Sequence, residues 1–171
     1  MKKRMEIARR RNRILRDAKN LQTALQTVTG WQDNDMVFLS AEDSVHLDDI
    51  LVSVYNRQKH VKSRFVENEL SWKQVQNAIN RISPVIEQSR VIVFLLQNDD
   101  LPFEIDWCLL KDRIWHLLEF DENMITIIGD MGESGMLLDR DENVFQDTQN
   151  VTTYTLERWG SFDVGEEKRV K

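Results

Sequence analysis

The chain has 171 residues and a mass of 20.3 kDa, which sets a single domain with room for one extension. Apolar residues make up 41%, with five Trp and seven Phe, so global disorder is excluded; no window approaches the length and apolarity of a membrane-spanning helix. The formal net charge of −6 is unevenly divided: the first nineteen residues hold nine Lys/Arg against Glu6 and Asp17, a local +7, so the remainder sums to −13 (14 basic, 27 acidic). A basic segment therefore precedes an acidic body. An acidic body is a poor holder of nucleic acid, because a phosphate backbone needs a basic footprint. It suits a basic protein partner, and it also suits plain solubility.

Cys108 is the only cysteine, so no intramolecular disulfide forms, which fits a reducing compartment. Its neighbours Trp107, Leu109 and Leu110 are apolar, and the thiol reads as a buried core group. Met1-Lys2-Lys3-Arg4 is basic, but arginines rather than an apolar stretch follow, so the start does not read as a secretion signal. The expected location is cytoplasmic, with no membrane partner.

In chain order, residues 4–28 read as one long helix. Ile7, Ile14, Leu21 and Val28 recur every seventh residue, Ala18 and Leu25 fill the stripe, Arg11 interrupts it, and Gly30 is placed to cap it. A stripe this narrow meets one partner helix, in the body or on a second copy, and a homodimer through residues 4–28 is one expectation. Met36–Leu39 reads as a short strand. Ser40 and Asp43 fit a capping box, with Ser44 a rival cap, before a helix carrying Leu47, Ile50, Leu51, Val54 and Tyr55 on one face, which continues or breaks near His60. Ser71 and Gln74 form a second capping box for a helix with Trp72, Val75, Ala78, Ile79 and Ile82 at 3–4 spacing; Pro84 is expected to kink or end it.

Val91–Leu96 is the strongest buried-strand candidate, apolar throughout and β-branched at its start. From Pro102 two readings compete. Ile105, Leu109, Trp115 and Leu118 favour a helix to about residue 119, with Glu104 and Asp106 at its positive end; the alternation Phe103-Glu104-Ile105-Asp106-Trp107 favours a strand. The helix is the preferred reading. Beyond Phe120 the texture is β: Met124–Ile128, a turn among Gly129, Gly132 and Gly135, Met136–Leu138, a polar turn at 139–143, and the Thr-rich Val151–Leu156. The residues after Gly165 read as a charged tail. The expected fold class is α+β: N-terminal helices, then a mostly antiparallel sheet after residue 123, with residues 91–96 as a central strand buried on both sides. The expected organisation is a basic helix over 1–30, one acidic domain over 31–164, and the tail 165–171.

No complete catalytic set assembles. Gly129, Gly132 and Gly135 lack the Gly-Lys-Ser/Thr end of a phosphate loop, and their acidic neighbours would repel phosphate. Asp139-x-Asp141-x-Asn143 imitates the start of a calcium loop, but Val144 and Asn150 stand where Gly and a bidentate Glu are required. His46, His60 and His116 make no ligand pair, and Cys108 and His116 are about 12 Å apart on a continuous helix, too far for a dyad. No metal or cofactor is expected. Carboxylates are abundant: Asp99, Asp100, Glu104 and Asp106 follow the most buried strand, where polar groups are well placed for binding, and Glu119, Asp121 and Glu122 lie at the far end of the helix. Trp31 and Trp159, each beside a glycine at an element end, suit edge-of-core packing, the preferred reading, or an interface.

The run Met124 to Asp130, then Gly135-Met-Leu-Leu-Asp139, Asp141-Glu142 and Tyr154-Thr-Leu-Glu-Arg-Trp159-Gly160, resembles the final third of small bacterial immunity proteins, over roughly a quarter of the chain. Such proteins neutralise toxin domains delivered by contact-dependent or secretion-dependent antagonism. The resemblance implies a protein without activity of its own that binds one cognate toxin. Many such toxins are nucleases with a basic phosphate-holding face, and an acidic inhibitor would dock there by electrostatic steering. The expected binding residues are Asp99, Asp100, Glu104 and Asp106, then Glu133, Asp139, Asp141 and Glu142. The alternatives are a small hydrolase using the same carboxylates, a structural or regulatory subunit held by the N-terminal helix, and nucleic-acid binding through that helix.

Overall fold

A computed structural model describes residues 2–58, 65–98, 101–121, 123–129, 132–146 and 149–164. The fold class is α+β, as expected. The elements run α1 (Lys2–Thr29), β1 (Met36–Phe38), α2 (Ala41–Gln58), β2 (Phe65–Leu70), α3 (Trp72–Ile86), β3 (Arg90–Leu95), β4 (Phe103–Asp106), α4 (Trp107–Leu110), α5 (Ile114–Phe120), β5 (Met124–Gly129), β6 (Ser134–Gln146) and β7 (Gln149–Trp159). Seven strands form one antiparallel sheet in the order β1-β4-β3-β5-β6-β7-β2.

Strand alternation divides the side chains between two faces. Val91, Val93, Leu95, Phe103, Ile105, Ile125, Ile127, Met136, Leu138, Tyr154 and Leu156 point to one side and are buried against α3, α4, α5 and the last turns of α1. Ile92, Phe94, Ile128 and Trp159 point to the other, where Leu47 and Leu51 of α2 cover them. β3 is an interior strand with apolar groups on both faces; it ends at Leu95, and Leu96 turns outward into a short 3₁₀ turn.

The local signals explain the helices. In the Ser71 capping box the hydroxyl accepts the Gln74 N–H while the Gln74 side chain accepts the Ser71 N–H. Ser40 receives the Asp43 N–H at 3.1 Å and so opens α2, leaving Ser44 buried inside it. Pro84 neither ends nor shortens α3, which continues to Ile86. Along α1 the apolar stripe is graded: Leu21 and Leu25 are buried, Ile7 and Ile14 half-buried, and Val28 is exposed while Thr29 turns inward. The Gly30 N–H closes the helix on the Gln26 carbonyl.

Several expectations are corrected. The sheet does not begin after residue 123; four of its strands precede that point. Residues 103–106 form a strand, because β1 and β3 flank them on both sides and bury Phe103 and Ile105; the helix starts only at Trp107. Glu104 is therefore a strand residue, while Asp106 stands at the N-cap of α4 without a side-chain capping bond. Cys108 is exposed, since Trp107 and Leu110 are the inward positions of the short α4. The polar run 139–143 is not a turn: β6 passes straight through it, absorbing the misfit as a bulge between Asp141 and Val144. That also removes the calcium-loop geometry. Of the three glycines, Gly132 takes the left-handed φ of 93° in the hairpin. Gly135 lies in β6, where a Cβ would stand 2.5 Å from the Trp159 ring. Trp31 and Trp159 are buried, in line with the preferred edge-of-core reading, and each indole N–H finds a carbonyl, that of Leu109 at 3.4 Å and that of Gly132 at 3.1 Å.

Candidate protein-docking surface

The charged groups concentrate on the α2 side of the sheet. α1 brings three of its cations to α2: Lys3 bonds Asp49 at 2.8 Å, Arg10 engages Asp48 and the Ser44 hydroxyl, and Arg11 engages Glu42. The Lys3 hydrogen bond and charge hold the Asp49 carboxyl below its ordinary range, and the Arg11 hydrogen bond does the same for Glu42. These cations are thus partly consumed within the fold; the Arg10 side chain is only 12% exposed. Arg13 and Arg16 converge on Asp17, whose carboxyl is held down chiefly by its hydrogen bond to Arg16.

The expected binding carboxylates fall into separate groups. Asp99 and Asp100 lie outside the described residues. Glu104 and Asp106 occupy alternate positions of β4 and share one guanidinium, Arg90 of β3, at 3.6 and 3.2 Å. Asp139 and Asp141 are alternate, exposed positions of β6 on the same sheet face. Glu133 is exposed in the β5–β6 turn, and Glu142 follows Asp141 in β6. The ladder Glu104–Ile92–Ile128–Gly135 fixes their relation. Asp139 lies three strands across and four residues along from Glu104, about 14 Å in each direction. α2 crosses the face between them. The two groups flank a surface rather than converge on a point. Of the later cluster, Glu119 is exposed, whereas Asp121 is buried and structural, its carboxylate accepting the Gln97 N–H at 3.1 Å.

Sequence reasoning missed the β7 contribution. Thr155 stands opposite Asp139, Thr153 opposite Asp141 and Glu157 opposite Leu137, so β7 sets polar groups beside the β6 carboxylates, Thr153 buried and Thr155 and Glu157 half-buried. The signal was the alternation of Thr153, Thr155 and Glu157 with the inward Tyr154, Leu156 and Arg158. A groove of about 320 Å³ runs between α2, which contributes Asp48, Leu51 and Val52, and the ends of β3 and β5, with Phe94 and Met124 on its floor. Among the described residues no group of three His, Cys, Asp or Glu is arranged to hold a metal ion, and no helix is long and apolar enough to cross a membrane.

No protein-family model matches the chain, and no curated protein matches it in sequence.

Proposed function

We propose that this protein is an immunity-type inhibitor, which binds one basic toxin domain and occludes its active face. The observation that carries the reading is the composition of the sheet face beside α2. Exposed positions there include Asp139 and Asp141, with Thr155 half-buried beside them, where a face meant for further core would hold apolar groups. The residues after the first nineteen sum to −13, while α1 directs Lys3, Arg10 and Arg11 to α2. A negative field of this kind accelerates encounter with a basic protein and repels nucleic acid, so an inhibitor could cover a nuclease cleft without competing for its substrate. The role of the carboxylates is to steer the approach and pair with Lys/Arg around that cleft.

The test is recovery of the partner. The tagged full chain, expressed in its native host and isolated at low salt, is expected to retain one basic protein at one-to-one stoichiometry, and added chain should suppress that protein's activity. Recovery of a stoichiometric partner whose activity is unchanged would contradict the inhibitor reading.

A further inference from the structure

The groove beside α2 has features that the carboxylates alone do not explain. Val52 on α2 is 58% exposed and Leu96 at the end of β3 is 45% exposed, so two large aliphatic groups flank its mouth. Its floor is apolar, with Phe94 buried and Leu51 and Met124 half-buried. One carboxylate lines the groove and a second stands next to it. Asp48 lines the α2 side, held by Arg10, and Asp139 stands directly across the β5–β6 ladder from Met124, exposed and in no ion pair with another described residue. At about 320 Å³ the groove is at the low end of small-molecule pockets, roughly 300–1,000 Å³, and matches the bulk of one anchoring side chain.

We infer that this groove is the socket for an anchor residue of a protein partner: a large aliphatic or aromatic side chain flanked in sequence by Lys or Arg. The inference rests on the binding function proposed above and names the chemistry of its central contact. An apolar anchor removes Val52 and Leu96 from water together, and a flanking cation reaches the Asp139 carboxylate at the rim. Anchors seated in an apolar pocket and ringed by polar contacts dominate the energetics of protein interfaces. Charge complementarity selects the occupant. A neutral apolar peptide would leave Asp139 desolvated without a partner, and an acidic one would meet a body of charge −13.

The experiment uses the full chain and a defined probe, a displayed library of random twelve-residue peptides. Enriched peptides are expected to place Leu, Phe or Trp next to Lys or Arg. A synthetic peptide of the enriched sequence, followed by fluorescence anisotropy, should bind the double variant Val52→Ser/Leu96→Ser at least about tenfold more weakly. It should bind Asp139→Lys about five- to tenfold more weakly at 50 mM salt, and less than about twofold more weakly at 500 mM. Both substitutions are at exposed positions, and thermal melts establish that the variants remain folded. No enrichment, enriched peptides without basic residues, or equal binding to the double variant would each overturn the socket. A dimer of the chain that the double variant dissolves would replace the partner by a second copy, whose α1 displays the exposed Met5 near Arg9. Failure to recover a host partner with the socket result intact would remove the inhibitor function and leave the socket.

Discussion

The two faces of the sheet follow different rules. On the core face the inward strand positions among the described residues are mostly apolar or aromatic, with Arg140, stacked over Trp115, and Arg158 as charged exceptions, and α1, α3, α4 and α5 close over it. Arg158 itself is buried against Phe65 and held by Glu67 of the edge strand β2 at 2.8 Å. On the opposite face a single helix covers a four-residue apolar cluster, and beyond it the strands present Asp139, Asp141, Thr155 and the Arg90 pair. Folding needs the first face to be closed and the second only partly so. On that second face Asp139 is exposed and in no ion pair with another described residue, which is why the docking surface is assigned there.

Substitutions should separate the faces by size of effect. The largest is expected at Trp107, fully buried, edge-on to Phe162 and bonded through its indole N–H to the Ser83 hydroxyl at 3.1 Å. Trp107→Ala should cost about 3–5 kcal/mol in chemical unfolding, and a loss below about 1 kcal/mol would show that this side chain does not anchor the core. Gly135→Val comes next. Its Cβ would lie 2.6 Å from the Ile127 carbonyl as well as against Trp159, so about 1–3 kcal/mol should be lost, and a neutral result would mean that Trp159 is free to move.

How much of this was legible follows from what each face demands of the sequence. The capping box at Ser71, the stripe of α3 and the run Val91–Leu95 were readable because local chemistry and burial agree there. β4 was not, because Phe103–Trp107 fits a strand and a helix start equally, and only its two neighbouring strands decide between them. β2 was missed altogether. Its Glu67 and Glu69 suit a loop, Glu69 takes a left-handed φ of 54°, and the segment becomes a strand by pairing with β7. Asp139–Asn143 read as a turn from composition, and pairing with β7 again overrode it. The acidic residues of the candidate surface could be named from sequence, but their division into two groups on one face required the register.

A smaller effect is expected at the α1–α2 tie, which belongs to the charged side. Arg10→Ala should lower stability by about 1 kcal/mol, because it strips Asp48 and Ser44 of one shared donor. The carboxyls of Glu42 and Asp49 are depressed in the folded state, so their contribution is present above the unfolded pKa and is lost as pH falls through the lower folded values. Hydrogen exchange along residues 2–12 should therefore quicken relative to the core on acidification below the ordinary carboxylate range; a uniform response would show that these pairs do not fasten the helix. The smallest effect is expected for Cys108→Ser. The exposed thiol contributes little, and the melting free energy should change by less than about 0.5 kcal/mol, whereas a large loss would return Cys108 to the core.

The central claim is that the open, acidic half of the second face receives a basic protein. Stopped-flow association of the purified host partner with wild-type chain and with Asp139→Lys tests it most directly. The variant should associate about tenfold more slowly at 50 mM salt and within about twofold of wild type at 500 mM, with an unchanged melting temperature. Equal association rates at 50 mM would contradict the assignment of the docking surface to this face.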